Sequence, residues 1–177
     1  MKVIRSNDRG EDHGTDPVSS LSYYNGPGTR WMCENGGEDF SRRFDFVVVK
    51  HACKDLDVKN MHRVGDFNCI LPAGHLNMLP VMIIDLQYNE AGSIYVCGNN
   101  LFFSKNPWKK GYQSAQSDWN RTNFWPGLCN HEIYSQFHLL QNTYKHHAFV
   151  ADEELRRVLS MTVREYAKGM EKIYSIP

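Results

Sequence analysis

At 177 residues, with 41% hydrophobic and 23% charged, the chain has the size and composition to bury a core without disulfides or metal. Lys plus Arg number 20 and Asp plus Glu 20, so the formal net charge is zero, which excludes the basic footprint of a general nucleic-acid binder. No apolar run approaches the about 18 residues of a membrane span, so no transmembrane segment is expected.

Residues 1–20 are charged, rich in turn formers and nearly free of apolar periodicity, which predicts a flexible N-terminal arm. The same stretch lacks the apolar centre of a signal peptide, and Lys2 stands where myristoylation needs glycine. The expectation is an intracellular, cytoplasmic protein, with residues 21–177 as one domain. Tyr23-Tyr24-Asn25-Gly26-Pro27-Gly28 has turn chemistry, which puts the start of the folded body near Trp31. Phe44-Asp45-Phe46-Val47-Val48-Val49 predicts a strand with a buried centre. Asn68-Cys69-Ile70-Leu71 is a short apolar run ended by Pro72.

Val81-Met82-Ile83-Ile84-Asp85-Leu86 predicts a second strand. Turn residues Asn89-Glu90-Ala91-Gly92 follow, and then Ser93-Ile94-Tyr95-Val96-Cys97 returns as a hairpin partner. Gly98-Asn99-Asn100 leads to Leu101-Phe102-Phe103, completing an expected three-stranded meander over residues 81–103. Residues 104–130 hold Trp108, Trp119 and Trp125 among prolines and turn formers, a long irregular segment of the kind that carries function. Ile133, Phe137, Leu140 and Tyr144 keep helical spacing over 131–145. Leu155, Val158, Leu159, Val163, Tyr166, Met170 and Ile173 keep it over 152–173, with acidic residues at the N-terminal end. The expected class is α+β, an antiparallel sheet with a C-terminal amphipathic helix packed on one face. That arrangement can leave a cavity for an apolar ligand between helix and sheet, although a fully packed core is the more common outcome.

Catalytic chemistry has little to stand on. Gly65-Asp66-Phe67-Asn68 matches a short motif of metal-dependent endonuclease and phosphatase folds, but that chemistry needs a further metal-binding carboxylate and a His–Asp pair. A four-residue match arises often by chance, and a turn into the next apolar run is the simpler account. Cys129, His131, His138, His146 and His147 form the densest group of possible ligands, without the spacing of a zinc site. Solvated imidazoles are the simpler account. Cys129 with His131 or His147, and Cys69 with His75, could pair as nucleophile and base, yet no nucleophile elbow or cysteine-protease signature surrounds them. The five cysteines are widely spaced without any CxxC, as expected of reduced thiols. No nucleotide loop is present and no cofactor is implied. In the 104–130 segment, Trp108, Trp119 and Trp125 interleave with Lys105, Lys109, Lys110 and Arg121. Aromatics beside cations stack or grip ligands, and they also pack loops onto cores. Trp108, Trp119, Trp125 and Arg121 are the candidate binding residues, for a ligand or for a protein partner.

Three patches together resemble the C-terminal domain of the plant enhanced-disease-resistance proteins and their eukaryotic relatives. They are Trp31 with Gly36-Gly37-Glu38, Phe40 and Arg42; Leu79-Pro80 leading through Val81–Asp85 to Leu86-Gln87; and Glu153-Glu154-Leu155 with Thr162-Val163-Arg164. The family's central acidic block, its Phe-Arg and its Lys-Leu-Ile-Pro tract have no counterpart, and the last two patches lie closer together than in the family. The resemblance implies a non-catalytic domain of a lipid-linked regulatory protein and transfers no site residue. The expected function is therefore a non-catalytic binding or regulatory domain for a lipid or other apolar ligand. A small hydrolase using His with Cys or Asp, acting on a phosphoester or acyl substrate, is the first alternative. A structural subunit that buries its aromatic segment against a partner is the second.

Overall fold

The computed structural model describes residues 4–6, 21–35, 39, 41–50, 61–64, 76–104 and 132–174. The chain divides into two compact units, Met1–Phe67 and Asn68–Pro177.

The first unit is built on a four-stranded sheet of β1 (Ile4–Ser6), β2 (Leu21–Tyr24), β3 (Phe46–Val49) and β4 (Met61–Arg63). The strands lie side by side in chain order and every pairing is parallel, with Tyr23 opposite Val48 and Val48 opposite His62. Val47, Val48 and Val49 are all buried, as a parallel strand covered on both faces requires. The crossover from β2 to β3 carries α1 (Gly26–Glu34). Residues 23–28, expected as a turn, are thus the end of a strand and the first turn of a helix. Asn25 caps that helix, its Oδ1 accepting the Gly28 N–H at 2.8 Å. Pro27 sits in the first turn, where no N–H is needed. Met32 then packs with Tyr24, Phe44, Val47 and Val49 in the core of this unit.

The second unit contains α2 (Met78–Tyr88), β5 (Tyr95–Val96), α3 (Ile133–Lys145), β6 (Val150–Ala151), α4 (Glu153–Leu159) and α5 (Val163–Tyr174). Here the expected antiparallel sheet is overturned. Val81–Leu86 lies inside helix α2, and β5 pairs in parallel with the distant β6, Tyr95 opposite Val150. The meander over 81–103 does not form. A short, mostly apolar run carries no clear period, so the β-branched residues of Val81–Leu86 do not separate a strand from a buried helix. The flanks decide the matter. Asn77 stands at the N-cap, Pro80 in the first turn and Asn89 at the C-cap, so the expected hairpin turn is a helix terminus.

Leu101–Phe103 is a tight turn rather than a third strand, closed by the Phe103 N–H donating to the Asn100 carbonyl at 2.9 Å. The helix at 131–145 is present as α3. The single helix expected over 152–173 is two, broken at Ser160–Thr162. α5 does not lie on an antiparallel sheet. Its Tyr166 ring stacks on Phe137 of α3 at 4.2 Å between centroids. Phe137, Leu140, Leu155, Val158, Leu159, Tyr166 and Met170 form the centre of this core, with Phe149 and Ala151 beside them. Among the described residues no helix is long and apolar enough to cross a membrane.

Candidate functional site

An open groove of about 420 Å³ lies on the second unit, lined by Phe103, Arg157, Ser160, Met161 and Glu165. Arg157 comes from the last turn of α4. Asp152 starts that helix, its Oδ1 accepting the Leu155 N–H at 2.9 Å and its Oδ2 accepting the Gly98 N–H at 2.8 Å. One carboxylate thereby caps α4 and anchors the chain leaving β5.

Ser160 and Met161 belong to the connector between α4 and α5. Gln141, buried on α3, holds this connector by donating from Nε2 to the carbonyls of Leu159 at 2.8 Å and Met161 at 2.7 Å. Glu165 closes a capping box at the start of α5. Its carboxylate accepts the Thr162 N–H at 2.7 Å and the Thr162 hydroxyl at 2.9 Å, while Thr162 Oγ1 accepts the Glu165 N–H at 3.2 Å. The Thr162 N–H and then its hydroxyl hold the Glu165 carboxyl below the usual carboxylate range.

Phe103 reaches the groove from the turn at Asn99–Ser104. Leu101 and Phe102 both take left-handed φ angles, 52° and 65°. Each such placement of an L-residue other than glycine costs about 1 kcal/mol or more, so the surroundings must hold the turn in place. Two tyrosines of α5 do so. The Tyr166 hydroxyl donates to the Leu101 carbonyl at 2.6 Å, and the Tyr174 hydroxyl lies 2.7 Å from the carbonyls of both Phe102 and Ser104. Burial, and secondarily the neighbouring Tyr174 and Tyr134, pushes the Tyr166 phenol well above its ordinary value. Burial pushes Tyr174 up to about 12. Both phenols therefore stay protonated and act as hydrogen-bond donors near neutral pH.

The Phe103 ring stacks on Tyr166 with centroids 5.7 Å apart, and the Arg157 guanidinium carbon stands 5.7 Å from the Phe103 centroid. A cation at this distance from a ring is attracted by its quadrupole. The tip of the Phe103 ring fills the space that a β-carbon at Gly169 would occupy.

The sequence-derived candidates fall elsewhere. Trp108, Trp119, Trp125 and Arg121, like the rest of 105–131 with Cys129 and His131, lie outside the described residues, as do Gly65–Asn68, Cys69 and His75. His138 is exposed on α3 beside Asn142, and His146 and His147 are exposed at its end. Among the described residues no group of three or more His, Cys, Asp or Glu is placed to hold a metal ion. No local signal marks the groove, because Phe103 is distant in the chain from Arg157, Ser160, Met161 and Glu165. One part was legible, since Thr162-Val163-Arg164-Glu165 is the capping-box pattern of a new helix start.

No family model matches the chain, and neither the curated proteins nor the solved structures compared with it include a match.

Proposed function

We propose that this protein is a non-catalytic binding module and that the groove beside Phe103 receives the apolar part of its ligand, a lipid chain or another apolar group. The observation that carries this reading is the make-up of the groove. Phe103 and Met161 offer apolar surface, Arg157, Ser160 and Glu165 line it beside them, and the parts are fixed by Gln141, Tyr166 and Tyr174. Apolar surface beside convergent polar groups suits a ligand with an apolar body and a polar end. A Met side chain adapts its shape to what it contacts, which suits an apolar guest. The resemblance of three sequence patches to a lipid-linked regulatory domain leans the same way.

Native mass spectrometry of the protein tests the reading, with dodecanoate as the added probe. The expected result is a saturable one-to-one adduct that is lost in Met161→Lys while the variant keeps its fold by circular dichroism. An adduct unaffected by that substitution, or none at all, would contradict it.

A further inference from the structure

Phe103 holds a place that belongs to the helices around it. From the core outward, Phe137 stacks on Tyr166, Tyr166 on Phe103, and Phe103 lies beside the Arg157 guanidinium. Phe137 and Tyr166 are buried on helices, whereas Phe103 is half-buried and rides on the turn. Two features make its seating unfavourable in part. Leu101 and Phe102 are held in the left-handed region. Ser104 Oγ is buried without a hydrogen-bond partner, which a relaxed turn would return to water. The ring also depends on residue 169 being glycine, because a β-carbon there would overlap Phe103 Cζ and Cε2.

We propose that the slot bounded by the Tyr166 ring, the Gly169 backbone and the Arg157 guanidinium is a binding site for a flat, electron-rich aromatic group of a small ligand. Phe103 is its intramolecular stand-in, displaced when that ligand enters. This rests on the binding-module reading above and names the ligand class. A planar guest is required because Tyr166 meets its present occupant with the rings only 25° from parallel. An electron-rich guest is favoured because a guanidinium attracts the face of an indole more strongly than that of a phenyl ring. Displacement exchanges the stacking of Phe103 for that of the guest and lets the turn leave its strained conformation. Occupation by Phe103 reduces the apparent affinity for any guest, so removal of the ring removes that penalty.

The test titrates the full chain with indole, reading binding by calorimetry and amide protection by hydrogen exchange. In the wild type, saturating indole should lower protection at Leu101–Ser104 and leave α5 protected. Phe103→Ala, which empties the slot, should bind indole about 10-fold tighter than the wild type. Phe103→Leu keeps an apolar side chain in the turn should the alanine variant misfold, and it should bind indole with intermediate affinity. Equal affinity in the wild type and these variants would overturn the proposal, as would bound indole with unchanged protection at Leu101–Ser104. Either result leaves the dodecanoate adduct and its loss in Met161→Lys intact, so the two readings fail separately.

Discussion

Replacing Gly169 with alanine sets helix propensity against the packing of one ring. Within a helix, alanine is favoured over glycine by about 0.8–1.0 kcal/mol, and position 169 lies inside α5. On propensity alone the variant is more stable. Against this, the new β-carbon overlaps the tip of the Phe103 ring, which must move. Moving it forfeits a stacked contact with Tyr166, of about 0.5–1.5 kcal/mol. It also forfeits the cation–ring contact with Arg157, of about 0.5–1 kcal/mol at an exposed site. The apolar surface that Phe103 covers is exposed as well, at about 25 cal/mol per Å². The sum favours glycine by about 1 kcal/mol after the propensity gain is subtracted. In a unit of this size that is a fall of about 4 °C in melting temperature. Thermal melts followed by near-ultraviolet circular dichroism measure it, because the same band reports the aromatic packing. A variant more stable than the wild type, with an unchanged aromatic spectrum, would show that Phe103 is not seated against Gly169.

The same contacts give three further expectations. Tyr166→Phe leaves the Leu101 carbonyl without its donor in a buried place, and urea melts should show a loss of about 1–3 kcal/mol. Asp152→Ala removes the cap of α4 and the tie to Gly98 together, and should cost about 1–2 kcal/mol in the same assay. The third concerns alkaline pH. The Tyr174 phenol is raised from 10.0 to about 12, so above pH 10 the unfolded chain gives up a proton that the folded one keeps. The stability due to this group is present below pH 10 and is lost as pH rises through about 12. Tyr174→Phe should flatten that decline in melts taken between the two values, and an unaltered slope would dissociate Tyr174 from it.

Where the sequence carried a period or a terminus it was informative. Ile133, Phe137 and Leu140 lie on the buried face of a helix, as their spacing predicts, and Val47–Val49 form the buried strand that their β-branched run predicts. Val81–Leu86 reads as a strand because a mostly apolar run is silent about its own geometry, while Asn77, Pro80 and Asn89 bound it as a helix. Leu101–Phe103 looked like a strand because nothing local announces a left-handed turn made without glycine or asparagine at its centre. Its conformation comes from hydroxyls on Tyr166 and Tyr174, about seventy residues away in sequence. Parallel pairing of β5 with β6, whose partners Tyr95 and Val150 are 55 residues apart, has no local signal either, since parallel strands are joined by a long crossover and not by a tight turn. The groove inherits all of these non-local dependences, whereas the helix start that contributes Glu165 was written in four consecutive residues.

The claim that the groove is a binding site is tested most directly at Met161. With methionine methyls labelled with carbon-13, a titration with dodecanoate followed by NMR separates this site from Met32, buried in the other unit. A saturable shift at Met161, absent at Met32 and abolished in Arg157→Glu, is the predicted result. Shifts of equal size at both methyls, or none at Met161 at saturating probe, would contradict the account.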